Sequence, residues 1–180
     1  GDNNYAIDVE RLYENVMNRY KYGGLDTPGL YLDETTLRTC YYHRRLFAQL
    51  AKELIRQGDN TRARKVLAYA EQAVPAYNVP EIYESGSFDI AKAYAALGEK
   101  TKAMPLLKYL TAESEDYSNW AFSLGDNRIN MVQRDCLYKF WQWNQYNELV
   151  KEIDEEEYRL SNQRFEEKYA LFSQIVGLRN

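Results

Sequence analysis

Residues 28–45, PGLYLDETTLRTCYYHRR, carry the side chains of this sequence that are best suited to chemistry. Two adjacent carboxylates, Asp33 and Glu34, have the composition of an acid–base pair. Cys40 and His43, the only histidine of the chain, are the residue types of a nucleophile, a general base or a metal ligand. These side chains either form a site or only begin a helix.

A capped helix explains the same segment without catalysis. Asp33 stands where an N-cap belongs, because its carboxylate can accept a hydrogen bond from a free N–H of the first turn. Leu32 and Leu37 flank it at the spacing of a hydrophobic staple, and Glu34 lies at the positive end of the helix dipole. His43 has no second histidine and no nucleophile beside it in a recognisable motif. We therefore predict a helix cap and no catalytic residue, with a carboxylate-pair site as the alternative.

The rest of the chain predicts an all-α fold, since apolar residues recur at helical spacing and no strong alternating pattern is present. Gly58 and Pro75 are expected to terminate two of these helices. The predicted helices cover about 5–21, 33–57, 60–74, 88–97, 127–143 and 145–173, the last ending at Gly177, with a further helix between Gly98 and Glu115.

A helical hairpin repeats within this pattern, with every matched pair 40 residues apart. The matched residues are Ala51, Leu54, Gly58, Ala63 and Leu67 in the first copy and Ala91, Tyr94, Gly98, Ala103 and Leu107 in the second. The unit resembles the tetratricopeptide repeat of about 34 residues, with an insertion at 76–85. Leu110 and Glu115 depart from its pattern. We predict one domain over 1–180, a right-handed tetratricopeptide-like array with core hairpins at about 33–75 and 86–115.

Composition limits the function. The net charge of −4 argues against nucleic-acid binding. Cys40 and Cys136 lack any metal-ligand spacing, so we expect buried free thiols, and we expect no metal and no cofactor. The sequence contains no GxxxxGK[ST], HExxH or GxSxG motif, which favours a domain that is not an enzyme.

Stacked hairpins leave a concave groove, which we expect the first helices of the two hairpins to line. The candidate ligand-binding residues are Tyr41, Tyr42, Arg45, Lys52, Lys92 and Tyr94. Segment 36–75 also has eight basic residues against three acidic ones. This excess is either a solvated helix face or a patch for an acidic partner, a carboxylate-bearing peptide or an anionic lipid head group. The acidic run at 151–158 is the opposite pole, and pairing between molecules through the two poles is an alternative to simple solvation.

The aromatic run at 138–146 allows a second kind of site. Its members either pack into the core or form an exposed platform for a sugar or a peptide, with Trp120 as a further member. The candidate platform residues are Tyr138, Trp141 and Trp143.

Several parts of the chain resemble a known family: MNRYKYGG (17–24), YLDET (31–35) with Arg38, the helical hairpin that follows, and NWAFSLGDN (119–127). The family consists of large bacterial membrane proteins of unknown function that are related to protein O-mannosyltransferases, and the chain is similar to their soluble C-terminal tetratricopeptide-like region. The resemblance implies a glycosyltransferase-like membrane domain upstream, which would be the only contact with the membrane. It also implies a location on the extracytoplasmic, periplasmic face of the inner membrane, with no catalytic residue in this chain. The start at Gly1, without an initiator Met, agrees with a fragment of a larger protein.

We therefore expect a non-catalytic accessory domain that binds a protein or peptide segment. A carbohydrate-recognition module is the alternative, and an enzyme is the third hypothesis.

Overall fold

The computed structural model describes residues 7–177, apart from the side chains of Asp126 and Asn127. This part of the chain is all-helical and contains no strand, which confirms the predicted fold class. It divides into two compact units, with the boundary between Glu99 and Lys100. The stretch Gly1–Asn4 and the predicted start of the first helix at residue 5 lie outside the described residues.

Unit 1 begins with a short helix and continues with three longer ones. Its helices are α1 (Val9–Glu14), which runs on into a π-helical turn (Asn15–Arg19), α2 (Glu34–Arg56), α3 (Asn60–Ala73) and α4 (Ser87–Ala96). Between α3 and α4 the predicted insertion contains one 3-10 turn, Tyr83–Ser85. Unit 2 contains α5 (Lys100–Ser123), α6 (Asp126–Ile129), a 3-10 turn (Asn130–Val132), α7 (Gln133–Ile153) and α8 (Glu155–Val176).

Helix α2 begins where the sequence predicts. The Thr36 N–H donates to Asp33 Oδ1 over 3.0 Å, and the Thr36 hydroxyl donates to Oδ2 over 2.9 Å. The N-cap prediction for Asp33 is thus confirmed. These hydrogen bonds to the ionised carboxylate lower the pKa of Asp33.

The same turn ends α2 and α4, at positions 40 residues apart. Gly58 and Gly98 both have positive φ, 80° and 75°. In each turn the N–H after the glycine donates back to the helix over 2.9 Å, from Asp59 to Leu54 and from Glu99 to Tyr94. The left-handed cap predicted for Gly58 is confirmed. The second predicted hairpin, 86–115, spans the boundary between the two units, and its pairing stays a prediction.

The core of unit 1 lies where α2 packs on α3 and α4. Fully buried side chains from α2 and α3 include Phe47, Leu50, Leu54, Val66 and Leu67. Ala51 and Ala63 are also completely buried on these two packed helices, as the repeat requires. Their small side chains let the helices approach closely.

In unit 2 the predicted helix break near residue 144 is wrong. Helix α7 continues to Ile153, and the chain breaks at Asp154, whose Oδ1 accepts a 3.0 Å hydrogen bond from the Glu157 N–H. Three glutamates then occupy the first turn of α8, where the helix dipole favours them. Helix α8 ends at Gly177, as predicted, and this glycine has a left-handed conformation.

The core of unit 2 is aromatic. Helix α7 packs on α5 and α8, and Phe140 and Trp143 of α7 lie with Phe172 of α8 in one buried cluster. Phe165 and Tyr169 line its edge. Within residues 7–177, none of the helices combines the length and the apolarity that a bilayer span requires.

Candidate functional site

A groove with a volume of about 430 Å³ runs between α2 and α4 in unit 1. Its α2 side and its α4 side are built from residues at helical spacing, so each helix presents one stripe to it. The lining residues are Arg45, Ala48, Gln49, Lys52 and Ile55 from α2, and Asp89, Lys92, Ala93 and Ala96 from α4.

Arg44 ties α2 to the segment that leads into α4. Its side chain is buried, and Nη1 donates to the Pro80 carbonyl over 2.7 Å and to the Ser85 hydroxyl over 2.8 Å. Nη2 donates to the Val74 and Val79 carbonyls over 3.1 and 2.7 Å. Burial lowers the pKa of Arg44, and the nearby Glu81 carboxylate offsets part of that effect. The arginine expected on a solvated face or in a basic patch is therefore an internal clamp.

Gly86 lets the same segment approach α2. Its φ is +86°, and a Cβ on this residue would lie 2.7 Å from Arg45 Cγ and 3.1 Å from Arg45 Cα. Any larger residue at this position would therefore overlap the Arg45 side chain and press against the α2 backbone. Gly86 and the Arg44 clamp together place α4 beside α2 and so create the groove.

Three cationic side chains line the groove, and nearby groups neutralise their positive charges to different extents. Lys92 Nζ lies 2.8 Å from the Asp89 carboxylate and 4.3 Å from the centroid of the Phe88 ring. Arg45 donates to the Glu84 backbone carbonyl, and among the described residues its guanidinium forms no ion pair with a carboxylate. Lys52 is exposed and makes no ion pair within the described part of the chain. The positive charge is therefore concentrated on the α2 side.

The floor of the groove is formed by apolar side chains, most of which are small. Ala48 and Ala93 are buried beneath it, Ala96 is exposed at one end, and Ile55 is half-buried. Alanine side chains leave room above them, so a ligand can approach the two helix backbones closely. A shallow apolar floor with charges at its edges suits a peptide or protein segment more than a small polar molecule.

The structure brings together three of the six predicted ligand-binding residues. Arg45, Lys52 and Lys92 all line the groove. Tyr41 is half-buried and Tyr42 is exposed, and neither is among the groove residues. Tyr94 is buried and its hydroxyl donates to Glu71 over 2.6 Å, which corrects its placement in the groove. The periodicity of the sequence does not show which face of the short helix α4 is buried. Only its packing in the structure distinguishes the two faces.

Sequence reasoning missed the rest of the lining. Gln49 and Ile55 share the stripe of Arg45 and Lys52, at offsets of four, seven and ten residues along α2. Asp89, Ala93 and Ala96 share the stripe of Lys92 on α4. These positions lie at helical offsets from the predicted cations. That spacing was the signal in the sequence that would have identified most of them.

The chemically suggestive residues of segment 28–45 do not converge. Asp33 is exposed at the helix start, and Cys40 is buried about two turns later, where desolvation raises its pKa. His43 packs against the rings of Tyr20, Tyr22 and Tyr42 at centroid distances of 5.9, 5.3 and 6.1 Å. Burial lowers its pKa, which favours the neutral imidazole. The arrangement is that of a capped helix with a half-buried histidine.

Most other arginines of the basic segment are paired. Arg38 pairs with Glu34, Arg56 with Glu53, Arg62 with Glu10 and Asp59, and Arg64 with Glu99. Their charges are largely compensated on the surface, and exposed pairs of this kind contribute little to stability. Outside the groove, the expected basic patch is thus a face of local ion pairs.

The aromatic run of α7 splits between the interior and the surface. Trp143 is fully buried, and its Nε1–H donates to the Ser161 hydroxyl over 3.0 Å, so it is not part of an exposed platform. This corrects its assignment as a sugar-binding residue. Tyr138 and Trp141 are 42% and 45% exposed, and their rings stack at 5.6 Å with an angle of 11°. The i, i+3 spacing places this pair on one face, and Trp143 lies two residues away on another.

Both cysteines are buried and free, as expected. Burial raises the pKa of Cys136 to about 11, so it is a protonated thiol near neutral pH. Among the described residues, no group of three or more His, Cys, Asp or Glu side chains is arranged to hold a metal ion. Comparisons of the sequence with family models and with curated proteins, and of the structure with solved structures, yield no match.

Proposed function

We propose that this chain is a non-catalytic binding domain, and that it takes a protein or peptide segment into the groove between α2 and α4. The observation that carries the proposal is the convergence of Arg45, Lys52 and Lys92 around an alanine floor. Charged edges can select and orient a segment, and the floor can bury its apolar side chains. Recognition of this kind needs no reacting group.

The architecture proposed for the chain is a tetratricopeptide-like array. It is supported by the identical turns after α2 and α4, because a repeated hairpin requires a repeated helix end. It is also supported by the packing of α2 against α4, the first helices of the two proposed hairpins.

The wider setting is proposed from the sequence resemblance alone. In that setting the chain is the accessory domain of a glycosyltransferase-like membrane protein, and it works at the extracytoplasmic face of the inner membrane. The domain would then hold a substrate protein or a partner near a membrane-embedded active site that lies outside this chain.

The direct test is an NMR titration of the 180-residue chain with a peptide panel and a glycan panel. Peptide binding in the groove would shift amide signals of α2 and α4, including those of Ala48 and Ala93. Ala96→Phe should fill one end of the groove and weaken binding at least about tenfold, which is about 1.4 kcal/mol. Ala170→Phe, at an exposed position on α8, is the matched control and should leave affinity unchanged.

Turnover of a peptide or glycan by the purified chain would contradict the non-catalytic assignment. If no peptide shifts α2 or α4 signals, the groove is not a peptide site.

A carbohydrate-recognition module remains the second candidate because Tyr138 and Trp141 form a stacked, partly exposed pair. Aromatic faces are suited to the apolar C–H surface of a sugar ring. In this case a glycan alone would shift the 138–141 signals, and Trp141→Ala would abolish the effect. Tyr109→Ala, at another exposed aromatic residue of unit 2, is the control.

A further inference from the structure

We infer that the groove between α2 and α4 selects an amphipathic helix that carries acidic residues two turns apart on one flank. This inference rests on the proposed function above. Three features of the groove indicate this ligand: the spacing of its cations, the shape of its floor, and the unequal neutralisation of charge on its two sides.

The cations on α2 set a distance. Arg45 and Lys52 are seven residues apart, which places them on the same face of α2 about 10.5 Å apart along its axis. A ligand must present two carboxylates at a similar separation to meet both cations together.

A helix satisfies that distance more readily than an extended strand. Residues i and i+7 of a helix repeat the same two-turn separation of about 10.5 Å on a common face. Along an extended segment, side chains on one face are about 6.6 or 13.2 Å apart. The first spacing is shorter than the required distance and the second is longer. A ligand helix aligned with α2 therefore pairs with both cations in relaxed geometry.

The floor accommodates the apolar stripe of such a helix. Ala48 on α2 and the pair Ala93 and Ala96 on α4 keep the centre of the groove low. Small residues on two neighbouring helices allow a third helix to lie between them at ordinary packing distance. Ile55 adds an apolar contact at one end.

The two sides of the groove differ in free charge, which fixes the orientation of the ligand. On α4, Lys92 is already held by Asp89 and by the Phe88 ring. On α2, the Arg45 guanidinium donates to a backbone carbonyl, and neither Arg45 nor Lys52 makes an ion pair in the part of the chain that the structure describes. The acidic flank of the ligand should therefore face α2, and a neutral polar flank should face α4.

The occupant that fits these features is an acidic amphipathic helix of a separate partner protein. The acidic start of α8 in a second copy of this chain carries Glu155 and Glu156, both exposed. Self-association through that segment is a distinct outcome that the experiment below separates from partner binding.

The test uses fluorescein-labelled peptides of about 14 residues, with the 180-residue chain as the receptor. The first peptide is a designed amphipathic helix with Glu at positions i and i+7. The second has the same composition with these glutamates moved to opposite faces. The third has the first sequence with a central proline, and the fourth has Lys in place of Glu. Fluorescence anisotropy gives each dissociation constant, and circular dichroism gives the helicity of each peptide.

We expect the first peptide to bind at least about tenfold tighter than each of the others, and this preference to weaken in high salt. Lys52→Glu should weaken its binding at least about tenfold. Lys65→Glu changes the net charge equally at an exposed lysine of α3 outside the groove, and it should change affinity less than about twofold.

Other outcomes overturn the inference in distinguishable ways. If the proline peptide binds in the groove as tightly as the helix, the ligand class is wrong while the proposed peptide-binding function stands. If no peptide binds and amide signals of α2 and α4 do not move, both fail. Concentration-dependent self-association that Lys52→Glu abolishes would show that the groove takes a second copy of the chain, and it would exclude the separate partner.

Discussion

The Arg44 guanidinium donates a 2.8 Å hydrogen bond to the hydroxyl of Ser85, 41 residues further along the chain. The same guanidinium also reaches three backbone carbonyls of the segment between α3 and α4. One buried side chain therefore satisfies the polar groups of an irregular segment and fixes the position of the helix that follows. The groove depends on that position.

Replacing Arg44 should destabilise unit 1 strongly. Arg44→Met keeps much of the side-chain volume but leaves the carbonyls of Val74, Val79 and Pro80 without their donor, at a cost of about 3 kcal/mol or more. Arg44→Lys should rescue only partly, because a single ammonium group cannot span both sides of the cluster. Urea denaturation measures the loss. Arg38→Met, at an exposed ion pair, should cost less than about 1 kcal/mol, and an equal loss in the two variants would contradict the clamp.

Alanine substitutions at Gly86 and Gly98 form a matched pair that separates the effect of steric contact on stability from the effect of backbone strain. Both have positive φ, so alanine costs about 1–2 kcal/mol at either position. Only at Gly86 would the added Cβ also collide with Arg45, while the space around Gly98 is open. Thermal denaturation should therefore show a clearly larger loss for Gly86→Ala than for Gly98→Ala. Similar losses would mean that the approach of the segment to α2 is unimportant.

The cap of α2 can be tested by the chemistry of its side chain. Asp33→Ala removes the acceptor for the Thr36 N–H and should lower the melting temperature by about 2–4 °C. Asp33→Ser retains an acceptor and should recover most of that loss. A loss of ligand binding in Asp33→Ala without any change in melting temperature would instead support a functional carboxylate.

His43 should make stability depend on pH. Burial lowers its pKa in the folded protein, so the unfolded chain takes up a proton at higher pH than the folded chain does. The free energy of unfolding should therefore fall as the pH drops below about 6.5, through the window down to the folded pKa. His43→Gln should flatten the decline between pH 7 and 5, as followed by urea denaturation at each pH. Carboxylates such as Glu81, whose pKa burial raises, contribute equally to both proteins. Identical slopes for the two proteins would exclude a contribution from His43.

Both thiols should be unreactive in the folded protein. Cys40 and Cys136 are buried, and burial raises the pKa of each, which suppresses the thiolate. Ellman's reagent at pH 8 should react only slowly with the native chain and rapidly with two thiols after unfolding in guanidinium chloride. Fast reaction of one thiol in the native protein would show that its environment opens readily.

Much of unit 1 could be predicted from local rules. The Asp33 cap and the glycine turn at Gly58 follow from propensities, because neighbours in sequence determine them. The interior alanines at 51 and 63 follow instead from the 40-residue repeat. The break in unit 2 was misplaced since periodicity alone could not locate it. Asp154, followed by three glutamates, carried the missing signal.

Tertiary structure decided which side chains face a ligand. Arg44 and Arg45 are adjacent in sequence, yet one is buried in a network of carbonyls and the other lines the groove. The side chains of Tyr94 and Trp143 are buried for the same reason. A helix has several faces, and only the elements packed against it determine which of them are exposed to water. Sequence spacing places residues on a common face, whereas burial and the position of the groove depend on contacts between segments far apart in the chain.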